Sequence, residues 1–260
     1  MTDEHVTPKG PPPIRVAVCM PTRGSMDYKT AQSLAEMTGM AGCTLIADGI
    51  LDMTLMILPG TYVDKARTQL AEEAIAWGAT HILWLDDDMI FPPYTLHKLL
   101  AANADIVGAN YPMRKSPVVP TAFTTVPSKT DDQQGVRCYT TAESGGLQSV
   151  EAIGFGCVLM KTSVFAKVAH PGFLCHFNAG EGTWTGEDVY FCLRAREAGF
   201  LILVDHDLSK DIGHAGRMVF TCAHAEAVRE LEQRETRIVT AGAGMLDRIK
   251  ESPDGAGFIH

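Results

Sequence analysis

Short apolar runs alternate with stretches of helical periodicity through most of this chain, and that alternation restricts it to few architectures. Ile14-Arg15-Val16-Ala17-Val18-Cys19-Met20 is rich in β-branched residues and predicts a buried strand. Residues 29–38 follow as a helix with Leu34 and Met37 inward. Two apolar runs, at 44–47 and 53–58, flank the turn pair Asp48-Gly49. Residues 64–77 place Ala66, Leu70, Ala71, Ala74 and Ile75 at helical spacing, and Gly78 stands where a C-cap glycine belongs. Residues 81–85 predict a strand, Pro92-Pro93 opens a helix carrying Leu96, Leu99 and Leu100, and 105–109 predict the next strand. Strand character returns at 152–161, a helix is expected over 187–198 up to Gly199, and a further strand over 200–204. The expected fold is an α/β/α sandwich, Rossmann-like, around a mostly parallel central sheet.

The remaining segments read differently. Residues 115–150 hold prolines, Thr-Thr pairs and Gly145-Gly146, which predict irregular loops with room for a hairpin. Residues 170–186 form a Gly-rich loop, and 222–250 are charged on one face and expected to be helical. The expected organisation is a loose tail over 1–13, one domain over 14–220 and a C-terminal helical extension over 221–260.

Composition narrows the function. A net charge of −9 disfavours non-specific binding to phosphate backbones, without excluding a local basic groove. The seven cysteines (Cys19, Cys43, Cys138, Cys157, Cys175, Cys192 and Cys222) are odd in number and contain no CxxC pair. Neither a zinc cluster nor a disulfide framework is indicated, and buried free thiols are expected. The N-terminus lacks the basic start and apolar core of a signal peptide. No apolar run reaches the ~20 residues of a membrane helix. A soluble, cytosolic protein with no membrane partner is expected.

Three motifs carry chemistry. Leu83-Trp84-Leu85 runs into Asp86-Asp87-Asp88. Carboxylates crowded at the mouth of an apolar strand repel one another and call for a cation, and the carboxyl ends of such strands form the ligand crevice of open α/β sheets. The bland reading is a solvated acidic turn or a helix cap. Trp184-Thr185-Gly186-Glu187-Asp188 places two carboxylates at a helix start, as dipole caps or as a general base at Asp188 with Glu187 orienting it. His214 lies between Gly213 and Ala215-Gly216 after the last expected strand, as a structural residue or a metal ligand.

In this order the features resemble GT-A glycosyltransferases, especially the family-2-like enzymes, over residues 14–220. The resemblance rests on Pro21-Thr22-Arg23-Gly24 after the first strand, Ala66-Arg67, Asp86-Asp87-Asp88 in the Asp-x-Asp position, Gly154-Phe155-Gly156, Gly186-Glu187-Asp188 and His214. The stretch from Trp184 to Asp188 is also similar to the galactosyltransferase branch. The resemblance implies a Mn²⁺ or Mg²⁺ ion held by Asp88 and His214, with Asp86 at the ion or the ribose. It implies a nucleotide-sugar donor, UDP-linked above all, bound by Pro21, Thr22, Arg23, Asp48, Arg67, Asp86 and Asp87. Asp188 would be the base of an inverting transfer, supported by Glu187, and Phe155, Gly156, Trp184 and His176 would lie against the acceptor. That acceptor is left open among a small molecule, a glycan and a hydroxymethylated DNA base, the last because the compact chain resembles phage-encoded members acting in the host cytoplasm.

The pattern is incomplete. The aspartate that reads uracil has only a partial echo in Asp48, which also reads as turn chemistry. The Gln-x-x-Arg-Trp motif of processive synthases is absent. A nucleotidyltransferase, which calls for a Gly-rich loop with a lysine that Pro21-Thr22-Arg23-Gly24 matches weakly, and a non-catalytic nucleotide-sugar-binding module are the alternatives.

Overall fold

The computed structural model describes residues 13–115, 118–128 and 135–216. The chain divides after Gly216, and the unit described is Met1–Gly216. The expected tail, Pro13 apart, and the expected helical extension lie outside the described residues.

Apolar alternation does build an α/β/α core. Strand β1 (Ile14–Thr22) is the backbone of the sheet. Val16, Val18 and Met20 point to one side of it, and Ala17 and Cys19 to the other, all buried. A strand covered on both faces reads as a continuous apolar run, as this one does. On the first side Leu34 and Met37 of helix α1 (Tyr28–Ala41) and Leu96 and Leu99 of helix α3 (Thr95–Ala101) complete the core. On the second side Leu70, Ala71 and Ala74 of α2 (Val63–Trp77) and Phe191, Cys192 and Ala195 of α4 (Glu187–Glu197) do so.

The sheet has seven strands. Strand β2 (Leu51–Pro59) lies at one edge, beside β1, and β3 (His81–Leu85) lies on the far side of β1. Next come Cys157–Lys161, Ile106–Gly108, Ile202–Asp205 and, at the other edge, Leu147–Val150. Five strands (β1, β2, β3, Ile106–Gly108 and Ile202–Asp205) run one way. Cys157–Lys161 runs against both of its neighbours, and Leu147–Val150 against Ile202–Asp205.

Several local expectations change. The apolar run at 44–47 is helical, because Gly42–Ile46 prolong α1 as a wider turn of helix, where the Thr44 hydroxyl donates to the Met40 carbonyl at 2.8 Å. Gly78, at φ 86°, closes α2 as expected. The helix after Pro92-Pro93 begins only at Thr95, whose hydroxyl and N–H both reach the Pro92 carbonyl. The Gly-rich loop contains a small hairpin, His176–Asn178 against Thr183–Thr185. Cys43 and Cys175 are exposed rather than buried. Among the described residues no helix is long and apolar enough to cross a membrane.

Candidate functional site

The five co-directional strands bring their carboxyl ends to one edge of the sheet. Thr22 ends β1 there, and Asp86-Asp87-Asp88 follow β3. The reversed strand contributes its start, because Cys157 pairs with Leu85 and Gly156 precedes it. The Gly156 carbonyl accepts the Asp86 N–H at 3.1 Å.

The three aspartates take three different partners. Asp86 Oδ1 accepts the Arg67 Nη2–H at 2.8 Å. Asp87 Oδ2 accepts the Thr22 hydroxyl at 2.6 Å and the Arg23 backbone N–H at 3.3 Å. It therefore braces the loop after β1, and the Arg23 side chain stands exposed beside it. Asp88 turns to the C-terminal part of the domain, with Oδ2 lying 2.7 Å from Arg114 Nη1.

His214 reaches Asp88 through the backbone as well as the side chain. Gly213 and His214 pair antiparallel with Ile90 and Met89, and the Ala215 N–H donates to the Asp88 carbonyl at 2.7 Å. His214 Nε2 then lies 3.1 Å from Asp88 Oδ1. The approach is within ion-pair distance, and Oδ1 is buried there against the ring. On the other side of the ring Nδ1 lies 2.9 Å from the Pro112 carbonyl, to which only an N–H can donate. Nε2 is left as the nitrogen that faces the carboxylate.

The electrostatics agree on the pairing. Burial opposes ionisation of Asp88, but His214 and Arg114 outweigh it and hold its pKa below the usual carboxylate value. Burial likewise opposes protonation of His214, but Asp88 and the Pro112 carbonyl raise its pKa. Asp86 is shifted the other way: burial raises its pKa, and Arg67 only partly offsets this.

Arg67 sits beneath the site, its side chain 3% exposed. Nε donates to Glu187 Oε1 at 3.1 Å while Nη2 holds Asp86. Its guanidinium also lies over the Trp84 and Phe155 rings, 5.4 Å and 5.7 Å from their centroids. Burial works against its charge, and the two carboxylates overcome that and keep it protonated. Arg67 thereby ties α4 to the end of β3.

Asp188 follows in the first turn of α4. Its Oδ1 accepts the Val189 N–H at 2.7 Å and folds back so closely that a β-carbon on Gly186 would stand 2.8 Å away. Burial, and then the neighbouring Glu187 charge, push its pKa up to about 6.

Tyr111 and Arg114 belong to this site, although no motif announced them. Tyr111 is buried, edge-on to His214 with ring centroids 5.3 Å apart. Both residues follow the carboxyl end of strand Ile106–Gly108. The position of a ligand crevice at such ends was the available signal, but the irregular stretch around them obscured it.

Arg67 thus joins Asp86 to Glu187, Thr22 meets Asp87 and His214 meets Asp88, so the consecutive aspartates gather three sets of contacts, and Pro21 lies buried at the end of β1. Three expectations need correction. Asp48 precedes β2, whose Leu51 pairs with Ile14 at the amino end of β1, so it lies at the opposite edge of the sheet. At the rise of a strand that is roughly 20 Å or more from Asp86. Phe155 is 1% exposed and packs edge-on against Phe173 and Phe191, so it cannot face an acceptor. Gly156 backs onto Tyr111 and Met89, with no room for a side chain. Trp184, by contrast, is 74% exposed on the small hairpin, 5.1 Å from the Phe177 ring, and His176 lies 6.1 Å from Tyr190.

Among the described residues no three His, Cys, Asp or Glu side chains are grouped to hold a metal alone. Asp88 Oδ1 and His214 Nε2, side by side, are nevertheless an oxygen and a nitrogen that could hold a divalent ion.

No protein-family model matches the chain, and no curated protein matches it. Among matching solved structures is one described as the crystal structure of A197 from STIV, 14% identical, covering 80% of this chain and 97% of that chain, with a TM-score of 0.47.

Proposed function

We propose that this chain is a metal-dependent glycosyltransferase of the GT-A type, moving a sugar from a nucleoside-diphosphate sugar, UDP-linked above all, to an acceptor hydroxyl. One observation carries the reading: Asp88 and His214, distant in sequence, meet with Oδ1 and Nε2 3.1 Å apart, at the carboxyl edge of the sheet where Asp188 also lies.

A Mn²⁺ or Mg²⁺ ion held by Asp88 and His214 would stabilise the charge on a departing nucleoside diphosphate. The chain's own residues do the rest. Asp188, with a pKa pushed up to about 6, is largely ionised at neutral pH yet basic enough to take the acceptor's hydroxyl proton. The freed oxygen bonds to the anomeric carbon as the sugar–phosphate bond breaks, an inverting displacement. Arg67 fixes Glu187, the neighbour of that base, through a buried ion pair. The exposed Trp184 and Phe177 rings offer a stacking surface on the hairpin leading to Asp188. That surface suits a glycan, a small metabolite or a modified base.

A thermal-shift screen of UDP, GDP, ADP, TDP and CDP, with and without Mn²⁺, tests the reading. One diphosphate should stabilise the protein only with metal, and Asp88→Asn should abolish the shift. Released nucleoside diphosphate from the matching sugar donor completes the assignment. Release of pyrophosphate from nucleoside triphosphates instead would make the chain a nucleotidyltransferase. Silence toward every donor and every nucleotide would leave a binding module at most.

A further inference from the structure

Two arginines serve this site, and they are not equivalent. Arg67 is buried and locked between two carboxylates. Arg114 has a side chain 48% exposed, yet it makes a 2.7 Å contact with Asp88 Oδ2 and donates to the Ala215 carbonyl at 3.1 Å. Its aliphatic stem lies against Gly216, where a β-carbon would come within 2.9 Å of Cδ. Asp88 is thus held at both oxygens, by Arg114 at Oδ2 and by His214 at Oδ1.

Arg114 and a divalent ion would contend for one carboxylate. Both neutralise Asp88, and placing both on it costs mutual repulsion at short range. The exposed partner yields more easily than the buried one. The geometry points to Arg114 as an exchangeable counter-ion: it holds Asp88 until a divalent cation takes its place, then swings onto the phosphates that arrive with the cation. A guanidinium suits both partners, because its planar fork fits carboxylate and phosphate alike. The inference rests on the reading of Asp88 and His214 as cation ligands. It adds a residue that coordinates order of binding with recognition of the diphosphate.

The test is a pair of binding measurements on the full chain and on Arg114→Gln. Mn²⁺ alone is titrated by electron paramagnetic resonance of the free ion. Inorganic pyrophosphate is then titrated by calorimetry at saturating Mn²⁺. The two effects should have opposite signs. Arg114→Gln should bind Mn²⁺ several-fold more tightly, having lost its competitor, and pyrophosphate about tenfold more weakly, having lost a charged hydrogen bond. A residue that merely braced the loop would not move the two affinities in opposite directions. Arg114→Lys, which keeps the charge but not the fork, should restore the Mn²⁺ competition and only part of the pyrophosphate affinity. Wild-type Mn²⁺ binding that Arg114→Gln leaves unchanged or weakens overturns this inference alone. A wild-type chain that binds no Mn²⁺ overturns the parent reading as well.

Discussion

The Tyr111 hydroxyl accepts the Gly156 N–H at 2.9 Å and fills the space that a β-carbon on Gly156 would need. The same hydroxyl would stand 2.7 Å from a β-carbon on Gly154. The Gly-Phe-Gly stretch is therefore a seat for one buried tyrosine, and that tyrosine backs the His214 ring.

Alanine at the two glycines should behave differently. At Gly154 the crowding falls on the Tyr111 hydroxyl and on Thr121. At Gly156 it falls on the Tyr111 ring carbon as well as the hydroxyl, and on Met89 Sδ. Each substitution should cost about 1–3 kcal/mol in urea unfolding, the usual toll of overpacking. Tyr111→Phe should recover part of the loss in Gly154→Ala and little in Gly156→Ala. Equal rescue of both would refute the seating geometry.

Removing the buried Arg67 charge should be more severe. Arg67→Ala strands Asp86 and Glu187, and a broken buried pair costs about 3–5 kcal/mol. Unfolding below pH 5 should show a smaller difference from wild type, because the stranded carboxylates can then protonate. A variant as stable as wild type at pH 7 would mean the pair carries no such weight.

Asp188 gives a signed pH prediction. Its pKa is raised to about 6, above the ~3.9 of an unfolded aspartate, so the native state holds the proton more tightly. The associated stability is present below about pH 4 and is lost as pH rises through about 6. Transfer activity should run the opposite way, rising through about pH 6 as the base ionises. Asp188→Asn should thus be inactive yet more stable than wild type at pH 8, by ~1–2 kcal/mol. A stability loss in calorimetry at that pH would contradict the assigned burial.

The aromatic residues separate into core and surface. Phe155→Ala should cost ~3–5 kcal/mol, because the ring is enclosed by Phe173 and Phe191. Trp184→Ala should stay within about 0.5 kcal/mol of wild type in the same melt, while weakening an acceptor that stacks there.

The periodicity of α2 and the apolar density of β1 and β3 made those elements legible, since each needs only local pattern. The direction of Cys157–Lys161 was not, because composition does not record which way a strand runs; the neighbours decide it. Thr44-Leu45-Ile46 reads as a short apolar run, and the preceding helix captures it. At the site, Asp86, Asp88, Asp188 and His214 stood out because charge beside apolar runs is conspicuous. Tyr111 and Arg114 did not, since a single tyrosine or arginine in an irregular stretch carries no pattern of its own.

The reversed strand Cys157–Lys161 has a consequence for biosynthesis. It stands between β3 and Ile106–Gly108, so those two segments, complete long before it, cannot join until it leaves the ribosome. A nascent chain halted before residue 157 leaves the outer border of β3 and both borders of Ile106–Gly108 unpaired at what becomes the middle of the sheet, each ready to stick to another chain. Aggregation of truncated products should fall once the cut moves past Lys161, and fall again once it moves past Asp205, when Ile106–Gly108 gains its second neighbour.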